Sequence, residues 1–171
     1  MSSQDELYAK AAAEFAPALE RLARGYEADA DKRRDLVQEI HVALWRSFAR
    51  FDNRCALGTW IYRVAHNTAI SHSTRRRGKG PQLVTLENVD VAATDENREE
   101  QLDRQRALDR LFAFIHRLEP LDRQVILLYL EGMDAAAIGE ITAISPRNVA
   151  TKVHRIKQLL ARRFHEGGRD A

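Results

Sequence analysis

Residues 134–163 restrict the fold of this chain more than any other stretch. Asp134 is placed to N-cap a short helix that runs to Ile141, and Thr142, Ala143, Ile144 and Ser145 form a connection. Ser145 followed by Pro146 supplies an N-cap and then proline at the first helical position, so a second helix is expected over residues 146–163. Val149, Val153, Ile156 and Leu160 make its buried stripe, and Ile144 in the turn pins the crossing of the two helices. Two helices joined in this way describe a helix-turn-helix. The stripe leaves Arg147, Asn148, Thr151, Lys152 and Arg155 outward, side chains suited to base edges and phosphates. The same helix carries six bases and no acid, which fits a surface that meets DNA phosphate rather than a merely solvated face.

With 171 residues the chain has room for one medium domain or two small ones. It is 44% hydrophobic and 30% charged with four prolines, a balance that favours a helical, soluble protein over a disordered or fibrous one. No apolar run approaches the roughly 18 residues of a membrane span. The opening MSSQDE has neither the basic nor the apolar part of a signal peptide, so a cytoplasmic protein is expected. Cys55 is the single cysteine, which excludes an intrachain disulfide and a Cys-based zinc site. The six histidines form no ligand pattern with carboxylates, so neither metal nor cofactor is expected. There is no phosphate-cradling glycine loop, nucleophile motif or paired-carboxylate constellation, so no enzymatic activity and no small-molecule substrate are expected.

The rest of the chain reads as helices around one break. Leu7, Ala11, Phe15 and Leu19 recur at helical spacing, and so do Leu36, Ile40, Leu44 and Phe48, with Val37 widening the second stripe. Asn53 and Gly58 interrupt this pattern, and Thr59 is expected to cap a helix starting near Trp60, with Ile61, Val64, Ala65, Thr68 and Ala69 inward. The basic run Arg75, Arg76, Arg77, Gly78, Lys79 ends the first unit. Residues 81–103 hold seven acids against one base, Arg98, a net of −6, so the remainder of a chain of charge +2 carries +8. A flexible acidic linker is therefore placed at 79–100, between units spanning 1–78 and 101–171. In the second unit Leu108, Leu111, Phe112, Ile115 and Leu118 form a helical stripe that Pro120 stops, and a short helix over 122–130 is broken by Gly132. The fold class is all-α, as two small helical domains.

Two groups of residues also resemble a known family. LDRQVILLYLEG at 121–132, IGEI at 138–141, Ile144, Ser145 and Val149 resemble region four of extracytoplasmic-function sigma factors, the domain that reads the minus-35 promoter element. DLVQEI at 35–40, Leu44, Trp45, Phe51, Asp52, TWIYRVAHN at 59–67, Arg75 and Arg76 resemble region two of the same family. Ser71, Ala143 and Ala150 stand where the family usually has an acid, often glycine and often a base. The resemblance implies binding to core RNA polymerase and to promoter DNA, help in melting the minus-10 region, and occlusion by an anti-sigma factor. By that resemblance Asp35, Gln38, Glu39, Val42 and Arg46 dock on polymerase. Asn53, Arg54, Arg63, His66, Asn67, Arg75, Arg76 and Arg77 serve minus-10 DNA, where a base that leaves the stack needs a pocket and the strand needs cations. Ser145, Arg147, Asn148, Thr151, Lys152 and Arg155 serve minus-35 DNA. For Trp60 and Tyr62 packing is as good a reading as stacking on a base. Two rival readings are a conventional helix-turn-helix regulator, which binds duplex without polymerase, and an accessory domain of a recombinase, which needs catalytic residues this sequence lacks.

Overall fold

A computed structural model describes residues 3–77 and 95–166, so most of the expected linker, 78–94, lies outside the described residues. Among the described residues there are seven helices and no strand. They are α1 (Gln4–Tyr26), α2 (Ala30–Phe48), α3 (Leu57–Arg77), α4 (Asp95–His116), α5 (Pro120–Leu130), α6 (Ala135–Thr142) and α7 (Pro146–Glu166).

The start of each helix has a local cause. Ser3 and Glu6 close a capping box on α1: the Glu6 amide donates to Ser3 Oγ at 3.2 Å and the Ser3 amide to Glu6 Oε2 at 2.9 Å. Asp29 caps α2 by accepting from the Lys32 amide at 3.0 Å. Three expected boundaries are corrected. Helix α3 begins at Leu57, and the Trp60 amide donates to the Ala56 carbonyl at 3.1 Å, so Thr59 is a buried interior residue rather than a cap. Pro120 opens α5 instead of stopping the helix before it, because proline costs nothing where the first amide has no helical partner. Helix α4 also takes in 95–100, the last part of the expected linker. An acid-rich stretch without an apolar stripe suits the positive N-terminal end of a helix as well as it suits a loop.

Helices α1, α2 and α3 pack together around Ala11, Leu19, Leu22, Leu36, Ile40, Leu44, Phe48, Ile61 and Ala65. On α2 the expected stripe Leu36, Ile40, Leu44 and Phe48 is buried with Val37 half-buried, and on α1 Ala11 and Leu19 are buried while Leu7 and Phe15 are half-buried against them. Phe15 meets Tyr62 edge-on at 5.8 Å, and the Trp60 indole donates to Ser47 Oγ at 3.0 Å while leaning on Phe51, so both aromatics belong to this packing. Helices α5, α6 and α7 pack around Val125, Leu128, Ile138, Val149, Val153 and Ile156, with α4 contributing Ile115.

The two bundles also touch. Gly25 of α1 faces Leu127 of α5 so closely that a Cβ there would lie 2.6 Å from the leucine methyls. Around that point Arg21 donates to both Glu131 oxygens at 2.7 and 2.9 Å, Arg24 to Asp109 at 2.7 Å, and His116 Nε2 to the Arg24 carbonyl at 2.8 Å.

Candidate nucleic-acid interface

The turn between α6 and α7 sets the angle of the second helix. Asp134 accepts from the Ala137 amide at 2.8 Å, which starts α6, and Thr142 ends it. Ala143 then takes a left-handed conformation, φ 61° and ψ 32°, and Ser145 Oγ accepts from the Asn148 amide at 3.1 Å to start α7. Gly139 makes the tight crossing feasible, since a Cβ at that position would lie 2.6 Å from the Ile144 carbonyl oxygen. Val149, Val153 and Ile156 are buried and Leu160 half-buried, so α7 turns the expected stripe inward.

The outward side chains of α7 differ from one another. Arg147, Asn148 and Thr151 are exposed near its N-terminus. Arg147 has no side-chain partner among the described residues, and the Thr151 hydroxyl donates to the Arg147 carbonyl at 3.0 Å. Lys152 and Arg155 are engaged within the protein: Lys152 Nζ lies 3.0 Å from Asp122 Oδ1, and Arg155 Nη2 donates to Asp122 Oδ2. Ser145 is spent in part on capping. Asp122, on α5, is a participant the sequence reading missed, because its partners lie 30 and 33 residues away and no local pattern links them.

In the first bundle the residues singled out for minus-10 DNA differ in exposure and in their partners. Asn53 (φ 60°), Arg54 and Asn67 are exposed, and Arg54 Nε is 3.0 Å from Asp52. His66 is buried and stands 2.7 Å from the Tyr26 hydroxyl through Nδ1. Burial pushes the Tyr26 phenol up and the His66 imidazole down to about 3, so both are neutral. His66 is therefore a core histidine in this arrangement, not a group presented to DNA. Arg75 donates to Glu39 at 2.8 Å and Arg76 to Glu27 at 2.7 Å, with His72 3.5 Å from each carboxylate. Arg77 is the last residue of α3, and its side chain lies outside the described residues. On α2, Asp35, Gln38, Val42 and Arg46 are exposed along one stripe, and Glu39 beside them is half-buried. Among the described residues no helix is long and apolar enough to cross a membrane, and no group of three or more His, Cys, Asp or Glu is arranged to hold a metal.

Comparison with known proteins decides what this architecture is. Residues 12–79 match Sigma-70 region 2, and residues 108–160 match Sigma-70, region 4. The ECF RNA polymerase sigma-E factor of Haemophilus influenzae is 32% identical over 136 residues, 74% of this chain and 71% of its own. The chain belongs to the extracytoplasmic-function sigma factors. The RNA polymerase sigma-H factor of Pseudomonas aeruginosa is 26% identical over 140 residues, 77% of this chain and 72% of its own. The structure of CnrH in complex with the cytosolic domain of CnrY matches with a TM-score of 0.67 and 19% identity, over 93% of this chain and 88% of that one, which shows a shared fold.

This sigma factor accordingly binds core RNA polymerase and promoter DNA and acts in transcription initiation. A conventional helix-turn-helix regulator is set aside, because region two precedes region four here and a lone helix-turn-helix does not account for it. In the structure the two regions meet. Arg63, on α3 of region two, donates to the Glu140 carbonyl of α6 at 3.3 Å and lies 3.7 Å from its carboxylate. A cavity of about 270 Å³ opens at this junction, lined by Leu22, Leu108, Leu111, Phe112, Leu127 and Leu130, with Arg21, Arg24, His66 and Glu131 also on its wall.

Proposed function

We propose that this sigma factor reads the minus-35 element with the N-terminal end of α7, where Arg147, Asn148 and Thr151 face outward beyond the capped turn at Ser145. The observation that carries the reading is Arg147: an exposed guanidinium without a protein partner, one residue past the proline that starts the helix. Arg is suited to the two acceptors of guanine in the major groove, and each such contact contributes about 1–3 kcal/mol of discrimination. Lys152 and Arg155 flank this edge.

Minus-10 recognition falls to Asn53, Arg54 and Asn67, with Arg63, Arg75, Arg76 and Arg77 as cations for the displaced strand. The α2 stripe of Asp35, Gln38, Val42 and Arg46, with Glu39, docks on polymerase, an arrangement in which charge orients the partner and Val42 supplies apolar contact. The chain then comprises units 1–78 and 101–171, with α4 extending the second toward 95. The protein works in the cytoplasm and has no active site of its own, leaving the chemistry to polymerase. An anti-sigma partner is part of the same reading, in keeping with the complex that CnrH makes with the cytosolic domain of CnrY.

The test is transcription by core polymerase with Arg147→Ala protein on promoters altered one base at a time in the minus-35 element. The variant is expected to lose discrimination at one or two adjacent positions while still initiating from a template pre-melted at the minus-10 element. Uniform discrimination unchanged from wild type would contradict the assignment.

A further inference from the structure

Region four carries its most basic surface on α7, yet one acid on another helix removes two of those charges. Asp122 sits in the first turn of α5 with a side chain 12% exposed, and its two oxygens are divided between Lys152 and Arg155. Lys152 is itself largely covered, at 20%, whereas Arg155 is 55% exposed. On the next turn Lys157 reaches Tyr129 of α5, with Nζ 3.3 Å from the hydroxyl and 5.5 Å from the ring centroid. Cations in the middle of α7 therefore point back onto α5, and Arg147 at the N-terminal end does not.

We propose that Asp122 is a positioning residue for promoter reading, which holds Lys152 and Arg155 off the DNA phosphates and so limits binding of region four to sequence-independent duplex. The inference rests on the reading of α7 as the minus-35 helix. Its physical content is competition. A carboxylate that already occupies a cation must be displaced before a phosphate takes its place, and non-specific binding depends on the number of phosphates neutralised. With two cations withheld, a larger share of the binding free energy comes from base edges at Arg147 and Asn148. Asp122 also fixes where α7 lies on α5, because Lys152 and Arg155 are one turn apart and both reach it.

The experiment compares the full chain with Asp122→Asn and with the triple variant Asp122→Asn, Lys152→Gln, Arg155→Gln, each titrated with a generic 25-base-pair duplex across salt concentrations. Each phosphate gained steepens the dependence of log affinity on log salt by about 0.9. Between about 50 and 200 mM salt, Asp122→Asn is therefore expected to lose about 3- to 12-fold more affinity than wild type, after binding more tightly at the low end. The triple variant has no unpaired charge to bury and is expected to return to the wild-type slope, and Asp122→Glu is expected to retain it. A merely structural role for Asp122 predicts a lower melting temperature with no change of slope, which overturns the proposal. So does a triple variant with a slope shallower than wild type, because Lys152 and Arg155 would then already touch phosphate; this arm decides the matter if Asp122→Asn alone does not fold. Absence of duplex binding by all the proteins overturns it as well. Failure of the minus-35 reading is seen separately, as promoter discrimination that is indifferent to Arg147→Ala.

Discussion

Replacing Ala143 with glycine should make this protein more stable. Ala143 is the residue that turns the chain from α6 into α7, and it does so at φ 61° and ψ 32°. An L-residue held there carries a steric cost of roughly 1–2 kcal/mol between Cβ and backbone, which glycine lacks. Glycine brings an opposing cost, since the unfolded chain gains freedom worth roughly 0.5–1 kcal/mol. The balance favours Ala143→Gly by up to about 1.5 kcal/mol. For a unit of this size each kcal/mol is roughly 4–8 °C in melting temperature, so the gain is up to about 6–12 °C. Ala143→Val, with a branched side chain in the same conformation, should move the other way by more than 1 kcal/mol, on the order of the cost of a strained backbone site. The two units are separable optically, because Trp45 and Trp60 both lie in the first bundle and the second has no tryptophan. Far-UV circular dichroism then follows both units and tryptophan fluorescence follows the first. A gain seen in the dichroism but not in the fluorescence transition is expected if the units melt separately, and in both if they melt together. A glycine variant that melts at or below the wild-type temperature would show that the left-handed backbone at Ala143 carries no such cost.

Acid should weaken the fold through His66: its folded pKa of about 3 lies below the ordinary value of about 6.5, so the unfolded state binds the extra proton and stability, full above pH 6.5, falls by up to about 1.4 kcal/mol per pH unit below it. His116, also lowered by burial, acts in the same sense, and denaturant titrations from pH 7.5 to 5 should show a shallower decline in His66→Gln than in wild type. Gly25→Leu should drive α1 away from Leu127 and part the two regions, read as a larger radius of gyration in solution scattering with the first-bundle fluorescence transition retained; an unchanged radius would argue against this contact. Glu131→Gln removes the bidentate pair with Arg21, a mostly exposed residue, and should loosen the same contact by no more than about 1 kcal/mol in a double-mutant cycle.

Much of the fold was legible because local chemistry determined it. Asp134, Ser145 and Pro146 act through partners three residues away or through their own backbone, so the helix-turn-helix could be drawn from short-range rules alone. The stripes Leu36, Ile40, Leu44 and Val149, Val153, Ile156 followed from periodicity in the same way. What escaped was long-range or ambiguous. Pro120 fits both the end of one helix and the start of the next, and only the three-dimensional path chooses. The site residues were legible as types, and their partners were not. Arg75 and Arg76 look like free cations in sequence until Glu39 and Glu27, 36 and 49 residues earlier, are folded against them. His66 resembles a polar contact in TWIYRVAHN until Tyr26 closes over it.

The most direct test of the central claim is run-off transcription from a genomic promoter library by core RNA polymerase, with and without this protein. Discrete start sites are expected that appear only when the protein is added, that share a minus-35 and a minus-10 element, and that weaken with Arg147→Ala. No new start sites, together with tight binding to duplex DNA in the absence of polymerase, would contradict that claim.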